Sequence, residues 1–209
     1  MINADQQPAT DVFSSEELFQ TMTTVMDGAL PPWRQRLRGA IKREGRQGSA
    51  RWLQLATVAS DGTPRVRTLV FRGWSEADQL ELYTDGRSSK TSELSHQPQV
   101  ELCWLLSKAR QQYRLRGTTA QMAPRDGDVR WRSLSPSGRA LWGWPQPGQP
   151  FESKASFPPE LPEDTPIPDH FLVMQIRIQQ VELLDLSQHP HQRLRWRRDD
   201  GWQEQRLNP

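Results

Sequence analysis

The chain has 209 residues and a mean hydropathy of −0.80, a size that suits one well-buried domain and is too short for two. Its 27 Lys and Arg nearly balance its 25 Asp and Glu, which argues against a dedicated nucleic-acid surface while allowing local anion sites. The single cysteine, Cys103, excludes an intrachain disulfide. We find no signal-peptide pattern and no apolar run of membrane-spanning length, so we expect a soluble cytoplasmic protein.

The first 30 residues are predicted to form an N-terminal arm that can be flexible, because acidic and amide residues dominate there. Residues 31–209 are predicted to form the folded domain. Its first helix follows Pro31 and Pro32, where apolar residues recur at helical spacing from Trp33 to Ile41. The opposite face is rich in Arg and Lys, which favours a solvated helix surface and leaves a phosphate-backbone contact as the alternative.

Five strands are predicted next, over 52–59, 65–74, 79–84, 100–106 and 112–121, each bounded by turn residues. A short helix is predicted between the third and fourth strands, over 88–97, with Ser88 as its N-cap and Pro98 after its end. Consecutive strands at hairpin spacing, with a single short helix among them, favour an antiparallel barrel or sandwich. The predicted fold class is therefore mainly β with a few helices.

The second half of the chain begins with a predicted helix over 124–143, in which Val129, Trp131, Leu134 and Leu141 are expected to be buried. Residues 144–169 hold eight of the 17 prolines and predict a long irregular loop, a kind of segment that is usually functional or disordered. Alternating apolar residues predict a half-buried strand over 171–185. A terminal hairpin is predicted over 193–207, with its turn at 199–201.

The start of the predicted helix at Ser88 is the first candidate for ligand binding. Free backbone N–H groups and the positive end of the helix dipole would lie beside Ser88, Ser89 and Lys90, a combination that binds a phosphate monoester. A plain capped surface helix is the alternative. Arg67 and Arg72 add charge, yet five residues apart on a straight strand they would face opposite sides unless a β-bulge realigns one of them.

Six short blocks follow one another along the chain: 67–72, Tyr83-Thr84, Ser88-x-Lys90, Gln112 five residues before Gly117, Trp142 with Gln146, and 202–209. In their order and spacing, over about residues 33–209, they resemble the pyridoxamine 5'-phosphate oxidase family of FMN-binding split barrels. The resemblance is greatest to a divergent branch whose members frequently lack an assigned substrate. It implies an antiparallel split β-barrel that forms a homodimer with FMN at the subunit interface.

The resemblance also implies which residues bind FMN. Arg67 and Lys90 would hold the phosphate group with help from Ser88 and Ser89. Ser89 stands where the family usually has Arg, and the nearby Arg87 is a candidate substitute for that contact. The implied cofactor-binding set is Arg67, Thr68, Leu69, Val70, Tyr83, Thr84, Ser88, Ser89, Lys90, Gln112, Gln146 and Arg193.

Residues further along the chain would complete this implied site. Gln112 would hydrogen-bond the flavin, whereas Gln146 and Arg193 would come from the other subunit or from the closing hairpin. An arginine near the N1 and O2 edge of the flavin would stabilise the charge of the reduced ring.

The substrate side departs further from the family pattern, and only its charge is roughly kept. The residues that stand at the family's substrate-binding positions are Arg72, Trp131, Ser135, Arg139 and His191. His189 and His191 form a His-x-His pair that could ligate a metal, but a turn is favoured because no Cys or third His is near in sequence. We assign no catalytic side chain and expect no metal.

The leading hypothesis is an FMN-dependent oxidoreductase in which a substrate gives hydride to flavin N5 and oxygen reoxidises the flavin. One alternative is a flavin or small-molecule reductase that uses NAD(P)H as its donor. Another, of a different class, is a non-catalytic flavin- or nucleic-acid-binding module, although the nearly neutral charge makes nucleic acid an unlikely partner. The changed residues leave the substrate open.

Overall fold

Eight antiparallel strands form one sheet in the computed structural model, which describes residues 30–123 and 129–209. They are β1 Trp52–Val58, β2 Pro64–Glu76, β3 Gln79–Asp85, β4 Gln99–Leu106, β5 Gln111–Ala123, β6 Phe171–Asp185, β7 Gln192–Arg197 and β8 Gln205–Leu207. The helices are α1 Pro32–Glu44, α2 Ser89–His96, α3 Val129–Arg132 and α4 Pro136–Arg139, with 3₁₀ turns at Gly48–Arg51 and Ala140–Gly143. Each strand lies within a few residues of the range that the sequence predicts.

The sheet closes on itself because β3 pairs with β6 as well as with β2. Six strands, in the order β3-β2-β1-β4-β5-β6, thus form an antiparallel barrel, and β7 and β8 extend the sheet from β6. The prediction of a mainly β antiparallel barrel is confirmed. Closure pairs the outer edge of β3 with β6, so the barrel itself has no unpaired edge, and β8 ends the extension.

The core lies inside the barrel, where alternate strand residues point inward. Leu53 and Leu55 on β1 have no exposed surface, and Leu102 and Trp104 on the neighbouring β4 are equally buried. Burial of each such leucine contributes about 1.5–3 kcal/mol to stability. The predicted apolar stripe of α1 packs onto the same cluster, beginning with the fully buried Trp33.

The prediction of a single helix over 124–143 is wrong. Residues 129–143 form α3, α4 and a 3₁₀ turn, while 124–128 lie outside the described residues. The break falls at Ser135, whose backbone is extended (ψ 159°) because Pro136 follows it and disfavours a helical conformation there. Trp131 is buried as expected, but Val129 is 72% exposed. The apolar residues of this segment therefore do not form one continuous helix face.

No strand or helix occurs between the 3₁₀ turn and Phe171, so the irregular loop predicted over 144–169 is confirmed. The loop begins beside a second apolar cluster, in which the rings of Trp131, Trp142 and Phe171 meet edge to face. The predicted arm over residues 1–30 lies, up to residue 29, outside the described part of the chain. Among the described residues, no helix has both the length and the apolar character needed to cross a bilayer.

Candidate functional site

Strand β2 presents different residues on its two faces. Arg67 is paired with Leu55, whose side chain is in the core, so Arg67 points to the inner side of the barrel. Thr68 and Val70 point to the other side and line a cavity. Arg72 lines the same cavity from a β-bulge, where the pairing of β2 with β3 shifts its register.

The cavity has a volume of about 680 Å³ and lies between β2, β3, α2 and the first part of the loop after residue 143. The loop contributes a wall with several aromatic rings, among them Trp144, Phe151 and Phe157. It brings together seven of the residues that the resemblance assigns to FMN: Thr68, Leu69, Val70, Tyr83, Thr84, Lys90 and Gln146. Gln146 therefore lies at the same cavity as Lys90 within one chain.

Lys90 lies in the first turn of α2 and provides positive charge at the cavity. Its Nζ donates a hydrogen bond to Ser88 Oγ at 2.6 Å. The Ser88 hydroxyl in turn donates to the Asp85 carbonyl at 2.6 Å. Ser88 therefore stands at the predicted N-cap position, but its side chain makes no capping hydrogen bond to α2. Burial of Lys90, followed by the nearby charge of Arg67, lowers the pKa of its amine below the ordinary 10.5.

Arg67 takes part in a buried network on the inner side of β2. Its Nη2 donates to Glu93 Oε2 at 2.7 Å, and its Nη1 forms a short hydrogen bond to Thr57 Oγ1. The Thr57 hydroxyl donates to the same Glu93 oxygen at 2.5 Å. Burial opposes ionisation of Glu93, yet the hydrogen bonds from Thr57 and Arg67 outweigh it and lower the pKa of the carboxyl. Sequence reasoning missed Thr57 and Glu93, although Glu93 lies one helical turn from Lys90.

Arg87, the candidate substitute for the missing family arginine, is engaged by protein groups. Its Nε and Nη2 donate to the two carboxylate oxygens of Asp85 at 3.0 and 2.7 Å, and its Nη2 also donates to the Trp144 carbonyl at 3.0 Å. Burial opposes ionisation of Asp85, but these hydrogen bonds more than compensate and lower the pKa of its carboxyl. Arg87 does not line the cavity, whereas Asp85 does.

Two residues of the cavity wall have buried polar atoms with no hydrogen-bond partner among the described residues. They are Thr84 Oγ1 and Trp142 Nε1, on side chains that are 3% and 6% exposed. Buried polar groups are nearly always hydrogen-bonded, so such atoms beside a large cavity fit a polar ligand inside it. With the cation of Lys90 at the start of α2, they suit a planar ligand that carries a phosphate group.

Gln112 and Arg193 lie elsewhere, at a smaller cavity of about 130 Å³ on the outer face of the sheet. Arg193 Nη2 is bound to Glu182 Oε2 at 2.7 Å. The assigned residues of β2, β3 and the start of α2, together with Gln146, therefore lie at one cavity or in the network on the inner side of β2, while Gln112 and Arg193 lie at another cavity. Ser89 is exposed at the start of α2 and does not line the main cavity.

The five residues at the family's substrate positions do not lie together either. Arg72 faces the main cavity with its guanidinium 5.1 Å from the ring centre of Tyr83, and no carboxylate within the described ranges forms an ion pair with it. Burial lowers the pKa of this guanidinium. Trp131 and Arg139 bind backbone carbonyls inside the protein, Ser135 caps α4, and His191 is exposed. No group of three potential metal ligands occurs within the described ranges.

Comparison with known proteins identifies the family of this chain. A model described as the FMN-binding domain of pyridoxamine 5'-phosphate oxidase matches residues 30–123. Pyridoxine/pyridoxamine 5'-phosphate oxidase 2 of Arabidopsis thaliana is 32% identical over 167 residues, which cover 75% of this chain and 84% of that protein. The chain belongs to the pyridoxamine 5'-phosphate oxidase family.

Two further relatives extend this similarity within the family. The pyridoxine/pyridoxamine 5'-phosphate oxidase of Rhizobium meliloti (strain 1021) is 30% identical over 186 residues, covering 83% of this chain and 88% of its own. A crystal structure of a pyridoxamine 5'-phosphate oxidase-related, FMN binding protein from Nostoc punctiforme PCC 73102 superposes with a TM-score of 0.74 and 33% identity, covering 87% of this chain and 99% of that protein. The matched FMN-binding domain contains β1 to β5 and α2, and thus the strand and helix residues that line the main cavity, whereas the loop wall of the cavity lies outside the match.

Proposed function

We propose that the chain binds FMN in the main cavity and acts as an FMN-dependent oxidoreductase. The observation that carries this proposal is the meeting of Lys90 at the start of α2 with the partnerless polar atoms of Thr84 and Trp142 around one cavity. The phosphate group would bind Lys90 and the N-terminal end of α2, helped by Ser88 and Ser89. The flavin ring would lie along residues 68–70 of β2.

Arg67 supports the phosphate site from the inner side of β2. Its charge is close enough to Lys90 to lower the pKa of the lysine, so both cations contribute to the positive potential there. The carboxylate of Glu93 fixes the orientation of Arg67. Because Ser89 replaces the usual arginine, the site has one cation fewer than the family pattern.

The residues of the chain would bind and orient the reactants rather than react themselves. FMN, when bound, supplies the redox chemistry, since it accepts a hydride from the substrate and passes the electrons to oxygen or another acceptor. Arg72 would orient a substrate through an anionic group, because its charge faces the cavity without a carboxylate partner in the described chain. The aromatic wall of the loop would exclude water from the reacting atoms.

The active form is proposed to be a homodimer. Gln112 and Arg193 lie at a separate cavity from Lys90 within one chain, and a second copy could bring its own Gln112 and Arg193 to the flavin. The expected interface is the outer face of the barrel, where exposed apolar side chains lie on neighbouring strands.

The proposal is tested by purifying the protein and recording its visible spectrum before and after titration with FMN. We expect a flavin spectrum and saturable binding, followed by peroxide release on addition of pyridoxamine 5'-phosphate and oxygen. A parallel assay of NAD(P)H oxidation separates the alternative, a reductase, from an oxidase. A protein that neither carries flavin nor binds added FMN would contradict the cofactor site itself.

A further inference from the structure

The wall of the main cavity formed by residues 144–157, here named the covering loop, is joined to the end of β3 by contacts at Arg87. Arg87 Nη2 donates both to Asp85 Oδ2 at 2.7 Å and to the Trp144 carbonyl at 3.0 Å. In addition, Gln146 Nε2 contacts the Arg87 carbonyl at 3.4 Å. The arginine thus connects a strand of the barrel with the first residues of the loop.

The covering loop has little regular structure to hold it in place. It contains no strand or helix, and most of its side chains are exposed. Within the loop, Trp144 packs edge to face on Phe157 and its indole N–H donates to the Pro158 carbonyl at 2.8 Å. These contacts join the loop to its own neighbouring residues, whereas the Arg87 contacts join it to the barrel.

The hydrogen bonds between the Arg87 guanidinium and the Asp85 carboxylate are charge-assisted and bidentate, which makes them strong. Asp85 accepts from Arg87 through both carboxylate oxygens and also accepts the Arg87 backbone N–H at 2.8 Å, and its side chain is only 13% exposed. Charge-assisted bidentate hydrogen bonds fix the geometry of both partners. The guanidinium is therefore held with one donor aimed at the loop carbonyl.

We propose that Arg87 is a positioning residue that fastens the covering loop over the cavity and so slows the release of a bound flavin. This inference rests on the proposed function, because it assumes that FMN occupies the cavity. Arg87 acts without touching the ligand. The sequence alone suggested that Arg87 contacts the phosphate directly, and the proposed role is to position the loop instead.

The experiment compares two variants with a matched control. Arg87→Met removes every side-chain donor, and Arg87→Lys keeps the charge but loses the planar fork that binds both Asp85 oxygens while reaching the Trp144 carbonyl. Arg198→Met breaks an ion pair of similar length, to Asp78 at 2.8 Å, away from this cavity. Dissociation rates are measured for FMN and for riboflavin, which lacks the phosphate. Hydrogen exchange is followed in peptides that span residues 144–157.

We expect both Arg87 variants to release FMN and riboflavin faster than the unchanged protein, by a similar factor on the order of tenfold, and to exchange faster in the covering loop. Arg198→Met should leave both measurements unchanged. Faster release of FMN alone, restored by Arg87→Lys, would overturn the inference and make Arg87 a phosphate ligand. Unchanged exchange in residues 144–157 would overturn it as well.

The hydrogen-exchange measurement separates this inference from the proposed function. If the unchanged protein binds no flavin, the proposed function fails, but the exchange of the covering loop still reports whether Arg87 holds it. If the unchanged protein binds flavin and the Arg87 variants release it at the same rate, the inference alone fails.

Discussion

Lys90 provides the charge at the main cavity on which the proposed phosphate contact depends. Lys90→Met should weaken FMN binding by about 1.5–3 kcal/mol, a typical value for a hydrogen bond to a charged group, and should leave riboflavin binding nearly unchanged. Fluorescence titration with both ligands measures the two affinities. Lys108→Met is the control, because its Nζ donates to the Glu44 carbonyl on a different part of the protein. An equal loss for both ligands would place the phosphate elsewhere.

Thr84 allows a test in which stability and binding change in opposite directions. Thr84→Val keeps the shape of the side chain and removes a buried hydroxyl that has no partner, so the ligand-free protein should be unchanged or more stable by up to about 1 kcal/mol. FMN binding should nevertheless weaken several-fold, because the ligand loses a polar contact. Thermal unfolding without ligand and FMN titration provide the two measurements.

Thr57 provides the matched control for this experiment. Its hydroxyl is equally buried but is bonded to Glu93 and Arg67, so Thr57→Val should lower the free energy of unfolding by about 1–3 kcal/mol. If Thr84→Val destabilises the ligand-free protein as much as Thr57→Val does, the Thr84 hydroxyl has a partner within the protein and does not await a ligand.

The elements of the barrel were predictable because their signals are local. Turn residues bound each of the first five strands, and alternation of apolar residues indicates the strand over 171–185. The two-residue period of a strand also separates Arg67 from Thr68 and Val70 on β2. The helix predicted over 124–143 is interrupted at Ser135, because Pro136 disfavours a helical conformation there. The position of the covering loop could not be predicted, since it depends on a contact between Arg87 and a carbonyl 57 residues away.

Alanine substitutions at two glycines test how closely neighbouring elements pack. Gly117 on β5 lies so close to β6 that a Cβ would overlap the carbonyl oxygen of Arg177, so Gly117→Ala should cost about 1–3 kcal/mol of unfolding free energy. Gly39 lies inside α1 with no atom within 4 Å of the added Cβ, so Gly39→Ala should stabilise the protein by about 0.5–1 kcal/mol. Urea unfolding measures both. Equal effects of the two substitutions would contradict the tight packing of β5 against β6.

At the scale of the whole molecule, the residues implied by the family pattern divide between two cavities of one chain. Lys90 and Gln146 line the larger cavity, whereas Gln112 and Arg193 line the smaller one. Sequence order could not predict this division, because residues distant in sequence can meet within a chain or between two copies. The division is compatible with the proposed dimer, in which a second copy would bring its Gln112 and Arg193 to the flavin.

The exposed apolar face of the barrel provides the test of that dimer. Trp52, Val66 and Leu105 point outward from the neighbouring strands β1, β2 and β4, and they are 53%, 70% and 55% exposed. The face adjoins the main cavity, because Val70, which lines that cavity, is paired with Trp52. Exposed apolar groups clustered in this way are typical of a surface that a partner covers.

We therefore expect the purified protein to sediment as a dimer and Leu105→Arg to sediment as a monomer, because a buried charge without a partner opposes association. The same variant should lose FMN affinity by tenfold or more, since the partner's Gln112 and Arg193 no longer reach the flavin. Val129→Arg, at a 72% exposed apolar residue on α3, is the control and should remain dimeric. A monomeric Leu105→Arg variant that binds FMN as tightly as the unchanged protein would mean that one chain holds a complete cofactor site.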